Sequence, residues 1–357
     1  MKKEGEKVAI VACKTYKQKE IDNAVEKALS LIDFKLKKNM KVLIKPNVVG
    51  NFPKKQIACT TNPALIEAIC KILKKSKCRI FIGDSPFTNA EQSFKASGID
   101  KVAKKYGKLI IFEQNKLIKI KDKKAKILKE FEIAKIIKEA DLVIDMPKLK
   151  THVLTKYTGA IKNLYGCIPG GLKQKIHLQG KGDENFSKIL MDIYQNIKPQ
   201  LTIMDAVIGM DGEGPTSGNP KKVGLILASK NGIALDIAAA KMIGLPPHEV
   251  NAIKESIKRK LYPNYDFQLV GLNQLPKLKF EIPHQAKKTQ KMLNKLGEYK
   301  PIVVDEKRCI KCRTCEKHCP TKSITLSPYP IINKKTCIRC FCCIEICPQD
   351  ALGLKKE

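Results

Sequence analysis

Tryptophan is missing from the 357 residues, and tyrosine and phenylalanine number only 9 and 11. A chain so short of flat rings is poorly supplied with stacking platforms for single-stranded nucleic acid. That counts against nucleic acid as a partner, although Lys and Arg (68) outnumber Asp and Glu (35) for a formal net charge of +33. The shortage of acids is spread along the chain: residues 301–357 carry 11 Lys and Arg against 6 Asp and Glu, and the rest carries 57 against 29. Spread lysine reads first as a solvated surface, with capacity for an anionic protein or small-molecule partner. Long apolar runs are also missing. The stretch 223–228 (VGLILA) is typical of the longest, far below the roughly 20 residues of a membrane-spanning helix. Val8–Cys13 is too short, and too closely flanked by charge, to be a secretion signal. The expectation is a soluble, cytoplasmic protein with no membrane span, in a reducing compartment.

Cysteine, by contrast, is plentiful at 14 residues, and nine of them fall into two runs near the end. Cys309-Ile-Lys-Cys-Arg-Thr-Cys-Glu-Lys-His-Cys-Pro320 and Cys337-Ile-Arg-Cys-Phe-Cys-Cys-Ile-Glu-Ile-Cys-Pro348 both read C-x2-C-x2-C-x3-C-P, at an offset of 28 residues. In this spacing three thiolates cap three irons of one 4Fe–4S cube, and the fourth cysteine of each run closes the cage of the other. Two clusters are expected: one on Cys309, Cys312, Cys315 and Cys347, the second on Cys337, Cys340, Cys343 and Cys319. Cys342 breaks the rhythm and is read as lining rather than ligating. The pattern resembles the two-cluster bacterial-type ferredoxins, and the offset, which also pairs Ile324 with Leu352, marks an internal duplication. So small a unit has little apolar core, and its clusters should supply much of its folding energy. Cys13, Cys59, Cys70, Cys78 and Cys167 lack cluster spacing and are read as small core or loop residues.

Before these runs the chain alternates β-branched stretches with amphipathic ones. Strands are predicted over 7–13, 41–45, 79–83, 109–112, 141–146, 201–204 and 223–228. Helices are predicted over 20–36, 63–75, 90–106, 133–140, 234–243 and 250–260. The rhythm gives an α/β fold, a largely parallel sheet with helices on both faces, followed by a small α+β ferredoxin-type domain. The expected domains are residues 1–271, a basic linker over 272–300 with one short amphipathic piece around Met292, Leu293 and Leu296, and 301–357.

Ligands of open α/β sheets bind beyond the carboxyl ends of the strands. Four such ends deliver polar residues here: Lys45-Pro-Asn47, Asp84-Ser85, the loop Pro147-Lys-Leu-Lys-Thr-His152, and Asp205. Each alone is ordinary, Asp84-Ser-Pro86 as a turn and His152 as a satisfied loop histidine; their coincidence points to a shared site. Gly209–Gly218 holds Asp211 and Glu213 among four glycines and reads as a plain hairpin or as a loop whose carboxylates bind a cation or move a proton. It has neither a P-loop nor a dinucleotide fingerprint. Lys162 and Asn163 follow on a short helix, where Lys162 with Lys45 would suit carboxylate or phosphate groups. The candidate catalytic set is Lys45, Asp84, Lys148, His152, Lys162, Asp205 and Glu213, with Asn47, Asn163 and Gly214 as expected ligand contacts.

Lys45-Pro-Asn47, Gly83-Asp-Ser-Pro86, Pro147-Lys-Leu-Lys-Thr-His152, Lys162-Asn-Leu-Tyr-Gly166, Asp205, Glu213-Gly-Pro215 and Ala234-Leu-Asp236 together resemble the domain-of-unknown-function 362 family over residues 7–270. The family is often fused to a ferredoxin, so the resemblance implies an iron–sulfur protein with an α/β domain. It implies no established reaction. Asn62 stands where a histidine is more usual for the family, and would still cap the following helix.

The leading functional expectation is an electron-transfer protein whose two clusters feed a redox or reductive-activation reaction in the α/β domain. If it is an enzyme, it is a ferredoxin-type oxidoreductase. Its partners would be an electron-donor or acceptor protein and an anionic small molecule. An accessory, maturation or redox-sensing factor acting on a partner protein is the alternative, and a nucleic-acid protein with structural clusters the third.

Overall fold

Runs of Val, Ile and Leu that pack on both sides become the strands of one large sheet. The structure is a computed structural model that describes residues 5–50, 56–170, 172–173, 176, 182–283, 299–303, 305–317, 319, 321–337, 342–345, 347, 349 and 351–356. Its strands in chain order are β1 (Lys7–Ala12), β2 (Lys41–Pro46), β3 (Arg79–Asp84), β4 (Lys108–Ile111), β5 (Leu117–Lys121), β6 (Glu130–Ala134), β7 (Leu142–Met146), β8 (Lys148–His152), β9 (Lys156–Thr158), β10 (Leu201–Asp211), β11 (Asn219–Ser229) and β12 (Gln268–Val270). The sheet order is β12-β1-β11-β10-β7-β2-β3-β4, with β8 and β9 continuing from β10. Strands β10, β7, β2, β3 and β4 are mutually parallel, and β11 runs antiparallel to β1 and β10. Every residue of β7 is buried, as expected where both faces of a parallel sheet are covered. One face packs against helices Asp183–Ile197, Gly232–Met242 and Asn251–Lys258, the other against Gln18–Leu31, Pro63–Lys75 and Ile99–Tyr106. The α/β expectation of helices on both faces therefore holds.

Local chemistry explains where the elements depart from the sequence pattern. The first helix stops at Leu31 rather than 36, and Asp33 follows with φ 51°. The helix expected over 90–106 is two, because Gly98 adopts φ 74° between Ala90–Ser97 and Ile99–Tyr106. Residues 130–134 form β6, paired antiparallel with β5, where a helix was expected from 133. Alternate residues Phe131 and Ile133 point into the core, and only Ile136–Glu139 is helical. The segment 148–152, read above as a loop, is strand β8, hydrogen-bonded to β10 and β9. Asn62 does cap its helix, its side chain accepting from Ala64 N. Residues 272–283 of the basic linker lie along the α/β unit: Leu278 N donates to Met242 O (2.7 Å), and Leu272, Leu275, Leu278, Phe280 and Ile282 pack on its core. The amphipathic piece around Met292 lies outside the described residues.

The C-terminal unit repeats itself. Strand β13 (Tyr299–Val303) pairs antiparallel with β16 (Leu352–Lys356), and β14 (Ile324–Leu326) with β15 (Pro330–Ile332). The short helix Thr314–Lys317 recurs 28 residues on as Cys342–Glu345, and the start of β14 at Ile324 recurs as the start of β16 at Leu352. Among the described residues its core holds Cys315, Cys343 and Cys347, packed with Ile324, Ala351 and Leu352.

Candidate functional site

The parallel strands β2 and β3 end side by side, and their last polar residues meet. Lys45 Nζ lies 2.9 Å from Asp84 Oδ1, with both side chains almost fully buried. Asp84 also accepts backbone N–H groups from Val48 (2.9 Å) and Ser85 (2.8 Å), while Lys45 donates to Pro46 O (2.7 Å). Gly166 lies directly on this pair, and a Cβ there would collide with Asp84 Oδ1 and Lys45 Nζ. Beyond the pair opens a cleft of about 590 Å³, part of it open solvent, lined by Asn47, Lys150, His152, Thr158, Lys162 and Lys173 with Lys45 and Asp84. Four lysines face one carboxylate, which is already paired, so the cleft suits an anion. Burial, aided by the charges of Lys162 and Lys148, pulls the Lys150 ammonium down to about 7. Burial likewise pulls Lys173 down to about 8. Lys150 was named among the polar residues at the strand ends but not in the candidate set, and Lys173 was not singled out. Lys150 belongs to the Lys148–His152 segment, but only the register of β8 shows which of its lysines reaches the cleft.

The expected site residues divide into two groups. Lys45, Asp84, His152, Lys162, Asn47 and Asn163 line the cleft. Lys148 and Asp205 do not; they form a separate buried pair at 2.8 Å. Tyr16 Oη donates to Asp205 Oδ1 (2.8 Å) and accepts from Lys148 Nζ (2.8 Å), and Asn62 N donates to Asp205 Oδ2 (2.9 Å). This cluster ties the start of β8 and the middle of β10 to the loop after β1. Its groups satisfy one another. Glu213 and Gly214 sit in the turn between β10 and β11, where Gly214 O accepts from Val153 N (2.9 Å). A Cβ on Gly214 would collide with Thr151 O. Pro215, next along, lines the cleft. Asp211 is taken by Lys221 at 2.6 Å.

His152 Nδ1 accepts from the backbone N–H groups of Leu154 (3.0 Å) and Thr155 (3.3 Å). A nitrogen that accepts cannot carry the proton, so this geometry assigns the neutral Nε2–H tautomer. A second proton would displace both backbone donors. The ring is therefore better built to donate than to act as a general base.

Under the cleft lie two buried acids. Asp145 pairs in register with Lys45 across β2 and β7; its Oδ1 accepts from Asn163 Nδ2 (2.7 Å). Burial holds its carboxyl well above the ordinary carboxylate range. Asp236 accepts from Ala160 N (2.7 Å), Ile161 N (3.0 Å) and Tyr157 Oη (3.0 Å), so it caps the short helix that presents Lys162 and Asn163. Burial outweighs these donors and pushes it up to about 7.

In the C-terminal unit, Cys309, Cys312, Cys315 and Cys347 line one small cavity with Ile310, Leu326 and Leu352. Three come from the first run and the fourth from the end of the second. Among the described residues no three His, Cys, Asp or Glu side chains converge on a single-ion site, and a cube does not need that, because each thiolate binds a different corner iron. All four are free thiols. The donor set fits a 4Fe–4S cluster held by these four residues. Cys319, Cys337 and Cys343 are in no disulfide; Cys340, and the side chain of Cys342, lie outside the described residues.

A mostly parallel α/β sheet with a polar cleft at its strand ends, followed by a cysteine-built unit, defines the class as an iron–sulfur protein with an α/β domain. Residues 42–241 match the family model described as domain of unknown function (DUF362), and residues 302–325 match the 4Fe-4S binding domain. The chain belongs to the DUF362 family. It is 29% identical over 231 residues to the thylakoid-associated protein sll1697 of Synechocystis sp. (strain ATCC 27184 / PCC 6803 / Kazusa), covering 62% of this chain and 69% of that one. Among solved structures it is similar to the lactate racemase apoprotein from Thermoanaerobacterium thermosaccharolyticum, with TM-score 0.42 and 13% identity, covering 64% of this chain and 55% of the other. Among the described residues no helix is long and apolar enough to cross a membrane. The five other cysteines, at 13, 59, 70, 78 and 167, are buried and in no disulfide.

Proposed function

We propose that this chain is a cytoplasmic electron-transfer protein with two 4Fe–4S clusters, and that it works on a small anionic ligand held in the four-lysine cleft. Clusters of this kind, when bound, supply single electrons at low potential. The observation that supports the reading most directly is the convergence of Cys309, Cys312, Cys315 and Cys347 on one cavity. A second cluster on Cys337, Cys340, Cys343 and Cys319 follows from the repeated spacing. In this division of labour residues 301–357 hold the clusters, 272–300 connect, and 1–271 bind. An electron-donor or acceptor protein completes the circuit.

In the cleft, Lys150, Lys162 and Lys173 attract and orient the anion. The Lys45–Asp84 pair fixes the strand ends on which they converge, and His152 donates rather than accepts. Beside Lys45, burial holds the carboxyl of Asp145 above the ordinary carboxylate range. Anaerobic protein should contain about eight irons per chain, with visible absorbance that bleaches under dithionite. About four irons, or zinc, would end the two-cluster reading. Lys162→Ala should weaken binding of phosphate to the cleft while the iron content stays the same, and unchanged phosphate binding would remove the cleft from the proposal.

A further inference from the structure

Two strands of the cleft wall set a lysine and a threonine face to face. Lys150 on β8 and Thr158 on β9 are direct partners in the antiparallel register, which places their side chains on the same face, within reach of one ligand atom. Both line the cleft and both are buried, Lys150 at 1% exposure and Thr158 at 5%. Lys150 Nζ donates to Cys59 O at 2.9 Å, which uses one of its three N–H groups. Among the described residues no carboxylate pairs with it. Thr158 Oγ1 is buried without a hydrogen-bond partner.

Asn47, in the loop after β2, completes the corner. Its backbone is fixed by Thr61, whose Oγ1 accepts from Asn47 N (2.9 Å) and whose N donates to Asn47 O (3.0 Å). Its side chain lines the same cleft, and its Oδ1 is also buried without a partner. Buried polar atoms are almost always paired in folded proteins. Three in one cleft with capacity to spare describe the inverse of a ligand: an anionic acceptor for Lys150 and Thr158, and a hydrogen donor for Asn47 Oδ1. The donor is a hydroxyl rather than an ammonium, because four lysines repel a second cation.

We propose that Lys150, Thr158 and Asn47 form a recognition subsite for a small hydroxycarboxylic acid, its carboxylate held between Lys150 and Thr158 and its hydroxyl donating to Asn47 Oδ1. This rests on the reading of the cleft as an anion site and names the class of anion. The subsite discriminates by the hydroxyl. A site built to bond a hydroxyl penalises the analogue that lacks it, since its own buried acceptor is then left unpaired.

The test is calorimetric titration of the anaerobically purified full chain with glycolate, acetate, glycine and inorganic phosphate. Glycolate should bind at least roughly tenfold more tightly than acetate, the factor expected for one buried hydrogen bond, and glycine should bind no better than acetate. Asn47→Ala should bring glycolate down to the affinity of acetate and leave acetate where it was, whereas Thr158→Val should weaken both by a similar factor. The comparison of glycolate with acetate uses the unaltered protein, so it stands even if a variant fails to fold. Equal affinity for glycolate and acetate overturns the subsite, as does an Asn47→Ala variant that loses both equally. If phosphate binds and neither acid does, the cleft remains an anion site and the hydroxy-acid assignment is wrong. If none of the four binds, the anion-site reading fails with it.

Discussion

Cys319 and Cys347 occupy one position twice. Each sulfur accepts a hydrogen bond from the backbone N–H four residues downstream, Ser323 N at 3.2 Å and Ala351 N at 3.3 Å. Each is the fourth cysteine of its run, and the two lie 28 residues apart. Hydrogen bonds to ligand sulfur are among the features that set cluster potential. That both halves make the same bond at the same place means the duplication covers the surroundings of the ligands as well as their spacing.

If the fourth cysteines are exchanged, Cys319 serves the cage of Cys337, Cys340 and Cys343. Cys319→Ala should then reduce the iron from about eight to about four per chain. A Cys319→Ala/Cys337→Ala double variant should lose no more, since both changes strip the same cluster. Further loss of iron in the double variant would show that each run closes its own cage. Cys342→Ala should leave the iron count unchanged.

The Lys45–Asp84 pair is buried on both sides. Asp84→Ala would leave the Lys45 ammonium without its carboxylate in a dry site and withdraw the acceptor from Val48 N and Ser85 N. Removing one partner of a buried pair typically costs about 3–5 kcal/mol. Chemical denaturation of the α/β unit should show a loss of that order. The iron count, which depends on residues 309–347, should not change. A variant as stable as the parent would place the pair at the solvent edge, contrary to its burial.

Lys148 separates structural from ligand-binding lysines. Lys148→Met removes the charge that Asp205 and Tyr16 share and should destabilise the fold by about 3–5 kcal/mol. In the fraction that stays folded, phosphate affinity should match the parent, because Lys148 does not line the cleft. Lys150→Met should do the reverse, weakening phosphate with little loss of stability, since a buried ammonium that has no carboxylate partner gives up little when it is replaced by an apolar side chain. Equal effects of the two changes on phosphate would merge the two clusters into one site.

The alternation of strand and helix, and the two cysteine runs, were legible because each is written in local spacing. The gathering of Lys45 and Asp84 was legible too, since both stand at ends of adjacent parallel strands. What escaped depended on register and on distant partners. Lys148, Lys150 and His152 fall on alternate positions of β8, and nothing in their own segment says that Lys148 turns to Asp205 while Lys150 turns to the cleft. Thr158 is unremarkable until β9 is seen to pair with β8. The hairpin of β5 and β6 was hidden by Ile136 and Ile137, which extend its apolar pattern into a helical spacing. Asp145 sat near the end of a run read only as a strand; its place beside Lys45 comes from the pairing of β7 with β2.

Proton linkage gives the last prediction. Burial pulls the Lys150 ammonium down to about 7, far below its ordinary value of 10.5. A bound anion favours the charged form and raises that value, so above pH 7 binding must take up a proton. Affinity for phosphate should therefore be flat below about pH 7 as far as Lys150 is concerned, and fall above it, by up to about tenfold per pH unit for one linked proton. Lys173, at about 8, should add a second decline at higher pH. Folding stability follows the opposite sign. Between about 7 and 10.5 the unfolded chain binds more protons at Lys150 than the folded one, so this residue makes folding more favourable as pH rises through that window. Titrations from pH 6 to 9 should show the fall in affinity beginning near 7 in the parent and beginning later in Lys150→Met. An affinity curve that ignores the substitution would mean that Lys150 keeps its proton throughout, and that its partner in the cleft is something other than the anion.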